Sequence, residues 1–260
     1  MTVLLNQEEI YTGNLILVNQ EYGYRQQVSA LSVPQGDGGA DFLLEEEAGA
    51  SLNRLMARID GWKHIVPVSA WRSLQEQQEI WDQSLEENGL EFTKEYVAFP
   101  GHSEHQTGLA IDLGYRKPQI DFIRPDFPYE GICQRFREQA GDYGFVERYP
   151  AGKEKITRIG HEPWHFRYVG VPHAAVMAKE GLVLEEYIAF LRGYEYGRSS
   201  YGVRFQWGEA RISYVRAQGA VTKLEVDAGY PCEISGDNVA GFIITEWRHL
   251  DEKQRAVCGN

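Results

Sequence analysis

The chain has 260 residues, of which 43% are hydrophobic and 25% are charged, so it can bury a sizeable core and is neither disordered nor a disulfide miniprotein. It carries 26 basic and 38 acidic residues, and the resulting net charge of −12 disfavours nucleic acid or an anionic membrane as a partner, because the summed field repels phosphate. No window holds the ~18 uninterrupted apolar residues of a membrane helix, so we expect no membrane insertion.

The first forty residues predict an irregular segment, with a short apolar run at Gly13–Asn19 and a turn-rich stretch at Pro34–Gly39. Residues from about 45 to 60 predict a helix, because apolar side chains recur there at helical spacing. These side chains are Leu52, Leu55, Met56 and Ile59.

Residues Ile65–Ala70 predict a strand, and Pro67 places it at a sheet edge or at an irregularity, because proline cannot donate a ladder hydrogen bond. The sequence Ser73–Glu76 fits a capping box and predicts the start of a helix that ends at Asn88-Gly89. Two further helices are expected over Ile132–Tyr143 and Leu184–Leu191.

The pattern changes after about residue 194. Short runs of alternating apolar residues, separated by glycine and Asp-Ala-Gly turns, predict a β-rich segment. The alternating residues are Val203, Phe205, Trp207, Ile212, Tyr214, Leu224, Val226, Phe242 and Ile244. We therefore predict an α+β body over 1–194 and a small β-rich extension over 195–260. We expect the aromatic residues of the extension to form its own core.

The three cysteines, Cys133, Cys232 and Cys258, are far apart and form no CxxC motif, which favours reduced thiols. The N-terminal residues contain no basic stretch and turn polar after Leu5, unlike a secretory signal. Together these features lead us to expect a cytoplasmic protein.

Two short segments contain four of the seven histidines. In the first, Gly101–Gly114, alternating apolar residues predict a strand that turns Asp112 away from its leucine face. His105 lies seven residues before Asp112, a spacing that would put the two on opposite faces of an unbroken strand. Gly108 permits a bend that brings both side chains to one point. A half-buried carboxylate needs a partner, and a metal ion shared with His105 supplies one.

In the second segment, Gly160–Gly170, Glu162 and His165 are three residues apart. Pro163 disfavours both a helix interior and a regular ladder. A strand that begins around Trp164, with a bend at Pro163, would direct Glu162 and His165 into one cleft.

Two histidines and one aspartate offer nitrogen and oxygen donors. His105, Asp112 and His165 therefore suit a catalytic zinc whose fourth position stays open for water. Glu162, close to a ligand, is the candidate general base for that water. Spacing by itself also allows ordinary core or surface histidines.

The ordered motifs Ser103-x-His105-x-x-Gly108-x-Ala110-x-Asp112 and Glu162-x-x-His165 resemble those of the zinc D,D-peptidases of the VanY and VanX type. Asn14–Asn19 resembles the family's N-terminal strand, Ser69–Ser73 with Gln77 its Ser-Gly-Tyr-Arg-Ser element, and Glu162–Gly170 its last motif. The VanXY type, which joins dipeptidase and carboxypeptidase activities, is the most similar subgroup. The resemblance covers about residues 12–192.

The resemblance implies a small antiparallel sheet flanked by helices, of the Hedgehog/D,D-peptidase-like kind, and one Zn²⁺ per chain. The implied roles are zinc ligation by His105, Asp112 and His165, general-base catalysis by Glu162, oxyanion stabilisation by Arg72, and substrate binding by Ser103 and Gln77. Trp71 and Ala70 depart from the family's usual Tyr and Gly, so we expect a pocket wall of different shape.

The implied activity is hydrolysis of D-Ala-D-Ala, or release of the terminal D-Ala from peptidoglycan precursor pentapeptides, with a link to vancomycin resistance or cell-wall metabolism. Two alternatives stay open: an L,D-carboxypeptidase or other peptidoglycan peptidase on the same zinc site, and a non-catalytic zinc-containing binding module. The presence of Glu162 and Arg72 favours catalysis. The extension is open to roles in gating the cleft, binding a wall polymer or forming an oligomer interface, and the oligomeric state is not determined.

Overall fold

The computed structural model of the protein describes residues 1–26, 28, 30–34, 42–206 and 208–248. The chain divides into two compact units. The central unit is Val18–Val183, and the terminal unit combines Met1–Leu17 with Leu184–Asn260. Most of the turn predicted at Pro34–Gly39, together with Trp207 and Cys258, lies outside the described residues.

The strands of the described chain are β1 (Thr2–Asn6), β2 (Leu31–Ser32), β3 (Leu44–Glu45), β4 (Ile65–Ser69), β5 (Ala110–Tyr115), β6 (Phe145–Tyr149), β7 (Glu162–Tyr168), β8 (Tyr201–Phe205), β9 (Gly208–Arg216), β10 (Val221–Glu225), β11 (Cys232–Gly236) and β12 (Gly241–Arg248). The α-helices are α1 (Glu46–Ile59), α2 (Leu74–Asn88), α3 (Leu90–Tyr96), α4 (Gly131–Ala140), α5 (Glu154–Thr157), α6 (Val171–Glu180) and α7 (Leu184–Leu191). Short 3-10 helices cover Gln7–Tyr11, Gly61–Lys63, Glu104–Thr107 and Gly141–Tyr143.

An antiparallel sheet in the order β4-β5-β7-β6 forms the centre of the central unit. One face of the sheet packs against α1 and α4 in a core that contains Leu52, Ile111, Phe136 and Phe166. Because side chains alternate along a strand, Asp112 of β5 points to the opposite face of the sheet, away from α1 and α4. The predicted small antiparallel sheet flanked by helices is confirmed.

The predicted helices of the central unit form close to their expected positions. The four apolar residues of α1 are at most 4% exposed. At the start of α2, the Ser73 hydroxyl accepts a hydrogen bond from the Glu76 amide, and the Glu76 carboxylate accepts one from the Ser73 amide. The helix predicted over Ile132–Tyr143 is α4 followed by a 3-10 turn.

The strand predicted at Ile65–Ala70 is β4, at the edge of the sheet, and its register shifts between Pro67 and Ser69. Both consequences expected of Pro67 are therefore present. The strand expected over Asn14–Asn19 is absent, since these described residues belong to no strand. The apolar residues Leu15–Val18 are buried, so their apolar character reflects core packing and not the pairing of a strand.

The terminal unit contains a second antiparallel sheet in the order β11-β12-β9-β8, and β1 pairs antiparallel with β10. Its small core includes Leu5, Leu224 and Phe242. The β-rich character predicted for this part of the chain is confirmed. Among its aromatic residues, Tyr214 is buried, while Tyr201 and Phe205 are half-buried.

This division differs from the one predicted at residue 195. Helix α7 belongs to the terminal unit, and so do the first seventeen residues, because β1 completes its ladder with a strand more than two hundred positions later. No helix in the described parts of the chain combines the length and apolar character needed to cross a bilayer.

Candidate functional site

Asp112 and His165 occupy directly opposed positions on β5 and β7. Opposed residues of an antiparallel pair project to the same face, so both side chains meet on the face away from α1 and α4. The Asp112 Oδ1 atom lies 2.9 Å from the Nδ1 atom of His165. Both residues are at most 5% exposed.

His105 lies on the 3-10 helix Glu104–Thr107, immediately before the turn into β5. Gly108 makes that turn with φ of 74°, a left-handed conformation that glycine adopts without strain. The predicted bend at Gly108 is therefore confirmed. The His105 Nδ1 atom lies 2.6 Å from the Ala70 carbonyl oxygen and donates to it, which leaves Nε2 facing Asp112 Oδ2 at 3.2 Å.

Glu162 lies on the same side of β7 as His165, although side chains three residues apart point to opposite faces of a regular strand. The pairing explains this: Tyr149 opposes Glu162 and Glu147 opposes Phe166, so β7 contains two more residues than β6 over the same stretch. The resulting bulge turns both side chains into the cleft, and Glu162 Oε2 lies 3.8 Å from His165 Nδ1.

Arg72 follows β4 and lies against this group. Its guanidinium donates through Nη2 to Asp112 Oδ2 at 3.0 Å and through Nε to the Ser69 hydroxyl at 2.7 Å. Its Nη1 donates to the Gln77 side-chain oxygen at 3.2 Å. Three different elements therefore fix the direction of one cation.

Burial and neighbouring charges raise the pKa of Glu162 and lower the pKa of His105 and Asp112. Desolvation raises the pKa of Glu162 to about 8, with the Asp112 carboxylate contributing. Desolvation and the neighbouring Arg72 lower the pKa of His105 to about 4. Burial alone would raise the pKa of Asp112, but its contacts with the two histidines outweigh burial and hold it well below its usual range. A carboxyl that holds a proton near neutrality beside a permanently ionised one is typical of a catalytic site.

The donor set fits a metal ion. His105, Asp112 and His165 each offer one ligand atom, these atoms all lie within 4.8 Å of one another, and all three residues are buried. Two imidazole nitrogens and one carboxylate oxygen are a donor combination that Zn²⁺ accepts when one position is left for water.

These residues line one cleft. Of the predicted site residues, the three metal-ligand candidates, Glu162, Arg72 and Ser103 all face it. Gln77 does not line the cleft. Its side chain is fully buried behind Arg72, and its amide nitrogen donates to the Ala98 carbonyl at 2.8 Å. The side chain of Gln77 therefore contacts Arg72 and does not face the cleft.

Some residues of the site were not anticipated from the sequence. Glu104 contacts His165 from behind, and two fully buried arginines, Arg148 and Arg167, pair with it. The Tyr149 ring packs on His165 with centroids 4.8 Å apart. Glu104 and Arg167 lie inside the two histidine segments at inward positions, and that placement was the available signal. Nothing local to Arg148 or Tyr149 indicated a role.

Comparison with known proteins gives consistent matches. The family model "VanY: D-alanyl-D-alanine carboxypeptidase" matches residues 42–171. The chain is 45% identical over 152 residues to the bifunctional D-Ala-D-Ala dipeptidase and D-Ala-D-Ala carboxypeptidase VanXYC of Enterococcus gallinarum, covering 58% of this chain and 80% of that protein.

Two solved structures extend the comparison. The vancomycin resistance D,D-dipeptidase VanXYg, in complex with a D-Ala-D-Ala phosphinate analogue, matches with a TM-score of 0.93 and 48% identity over 95% of this chain and 99% of its own. A mutant of the D,D-pentapeptidase VanY in complex with Zn(II) matches with a TM-score of 0.58 and 29% identity over 67% of this chain and 98% of its own. With its histidine, aspartate and glutamate motifs meeting in one cleft, the chain belongs to the VanY family of D-alanyl-D-alanine carboxypeptidases.

Proposed function

We propose that the protein is a zinc-dependent D,D-peptidase that hydrolyses D-Ala-D-Ala and releases the terminal D-Ala of peptidoglycan precursor pentapeptides. The observation that carries this proposal is the meeting of His105, Asp112, His165, Glu162 and Arg72 in one cleft. The similarity over 95% of the chain to a D,D-dipeptidase bound to a D-Ala-D-Ala analogue supports the substrate class.

His105, Asp112 and His165 would hold one zinc ion. When bound, Zn²⁺ supplies Lewis-acid chemistry that activates water and polarises a carbonyl. A hydrogen bond with the surrounding chain orients the His105 ring for this role. The Ala70 carbonyl holds the Nδ1 proton of His105, so the lone pair of Nε2 faces the ligand group.

Glu162 is the proposed general base. Its carboxylate takes a proton from the attacking water and returns it to the leaving amine of D-Ala. Because desolvation raises its pKa to about 8, the carboxylate is a stronger base than that of an exposed glutamate, and the carboxyl group that results can still return the proton.

Arg72 is proposed to stabilise the oxyanion that develops on the scissile carbonyl. A guanidinium held by Ser69, Gln77 and Asp112 needs little reorganisation at the moment when charge develops. Ser103 is proposed to bind the substrate's backbone or C-terminal carboxylate, since it lines the same cleft.

The test is D-alanine release from D-Ala-D-Ala and from a pentapeptide ending in D-Ala-D-Ala, with zinc-loaded protein, a chelator control and an L,D-peptide of matched length. We expect chelator-sensitive release from both D,D substrates. Release from one alone would narrow the activity to a dipeptidase or a carboxypeptidase.

Cleavage of the L,D-peptide without D,D activity would replace the proposed specificity. Zinc binding without any hydrolysis would favour a binding module. The pentapeptide assay tests that partner, while the cytoplasmic location and the role of the β-rich extension stay predictions.

A further inference from the structure

A buried charged cluster stands behind the candidate metal ligands. Glu104 begins the 3-10 helix that carries His105, and its side chain is fully buried. Its Oε1 atom accepts a hydrogen bond from Arg148 Nε at 2.8 Å and lies 2.9 Å from Arg167 Nη1. Both arginine side chains are fully buried as well. Removing three charges from water is costly, and hydrophobic residues often stabilise such a position as well or better, so stability is a weak explanation for the cluster.

The second carboxylate oxygen of Glu104 faces a metal-ligand candidate. Oε2 lies 3.5 Å from Nε2 of His165. Both atoms are buried, and neither has a hydrogen-bond partner among the described residues. Buried polar atoms without partners are rare and call for an explanation. The other ring nitrogen of His165, Nδ1, faces Asp112 at 2.9 Å.

We propose that Glu104 is a positioning residue that accepts the Nε2 proton of His165 and thereby fixes this ring with its Nδ1 lone pair directed to the metal. The inference rests on the proposed zinc site. A neutral imidazole carries one proton, and the nitrogen that holds it is set by the hydrogen bond that nitrogen makes. His105 is oriented by the same principle in the opposite sense, since its Nδ1 donates to the Ala70 carbonyl and leaves Nε2 unprotonated.

Arg148 and Arg167 complete the arrangement. Both guanidinium groups lie within 3 Å of Oε1, and two positive charges at that distance favour the ionised form of Glu104. Glu104 is therefore a carboxylate that can only accept at His165. The arginines also fix the orientation of the carboxylate, because both contact Oε1 and leave Oε2 for the histidine.

Glu104→Gln inverts the proposed hydrogen bond. The arginines only donate, so the amide oxygen stays on them and the amide nitrogen turns to His165 Nε2. A donor at that position favours the tautomer with the proton on Nδ1, which opposes metal binding. We expect the Zn²⁺ dissociation constant of the full chain, measured by chelator competition, to rise roughly 10–100-fold.

The matched control is Glu147→Gln. Glu147 also pairs with a largely buried arginine, Arg137, at 2.8 Å, and it contacts none of the metal-ligand candidates. We expect its Zn²⁺ affinity to stay within about twofold of the wild type. A merely structural role for Glu104 predicts a lower unfolding midpoint with unchanged Zn²⁺ affinity, and that result would overturn the inference.

A second measurement needs no variant. In the zinc-loaded wild-type protein, nitrogen-detected NMR of the histidine rings is expected to place the His165 proton on Nε2, shifted downfield and protected from exchange. A proton on Nδ1 would overturn the inference even if Glu104→Gln fails to fold. Wild-type protein that binds no zinc would overturn the proposed function and this inference together, whereas tight zinc binding in both Glu104→Gln and the wild type would overturn the inference alone.

Discussion

Replacing Gln77 by leucine is expected to lower kcat about tenfold and to leave KM nearly unchanged. Gln77 is fully buried, lies outside the cleft and accepts a hydrogen bond from Arg72 Nη1 at 3.2 Å. We therefore expect Gln77 to affect catalysis by orienting the Arg72 guanidinium. A residue that binds the substrate equally in the ground state and the transition state would instead raise KM.

The magnitude follows from the contacts. A hydrogen bond to a charged group contributes about 1.5–3 kcal/mol. Arg72 keeps its contacts with Ser69 and Asp112, so we take the lower value, about 1.5 kcal/mol, which corresponds to about tenfold in rate. Loss of the whole oxyanion donor sets a ceiling of roughly 10²–10³. The variant also removes the hydrogen bond to the carbonyl of half-buried Ala98, at a cost of about 0.5–1.5 kcal/mol in unfolding free energy.

The assay is steady-state D-alanine release, with thermal unfolding measured on the same samples. Ser84→Ala is the matched control: Ser84 is buried on the same helix, and its hydroxyl pairs with Thr93 at 2.9 Å. It should lose about 1 kcal/mol of unfolding free energy with kcat unchanged. A higher KM with normal kcat in Gln77→Leu would refute the reasoning and restore Gln77 as a substrate-binding residue.

Three further outcomes are expected. Glu162→Gln should retain zinc, measured by metal analysis, and lose roughly 10²–10⁴-fold in kcat; near-normal turnover would remove Glu162 from the mechanism. Burial lowers the pKa of His173 to about 3, so the folded protein binds this proton far less readily than the unfolded chain, and stability should fall as the pH drops below about 6.5. Between pH 7.5 and 5 this group should cost about 2 kcal/mol in urea unfolding; an equal loss in His173→Gln would contradict the assignment. Deleting residues 1–6 should speed hydrogen exchange of the amides in Val221–Glu225 that pair with β1, while zinc affinity stays unchanged; unaltered exchange would show that β10 does not depend on β1.

The metal-ligand set was predictable because its signals are local. A glycine between His105 and Asp112 and a proline beside Glu162 mark the two departures from regular geometry that the site needs, and the structure contains both. The capping box at Ser73 likewise predicted the start of α2, since its hydrogen bonds connect residues three positions apart.

The same helix shows the limit of local reasoning. Its apolar residues Leu74 and Leu85 are exposed, whereas the polar residues Gln77 and Ser84 are buried. Periodicity cannot anticipate a buried amide whose partners, Arg72 and the Ala98 carbonyl, come from outside the helix. The family resemblance implied a substrate-binding role for Gln77, and only the structure shows that its side chain lies behind Arg72 and outside the cleft.

The amino-acid sequence by itself determined the candidate ligands, the candidate general base, four of the helices and the β-rich character of the last part of the chain. These features depend on side-chain chemistry and on contacts a few residues apart. Only the tertiary structure decided that Glu104 faces His165 between two arginines and that β1 pairs with β10. Such partners are separated by 44 to more than two hundred positions, and what joins them is the packing and register of distant strands, which leaves no periodic trace in the sequence.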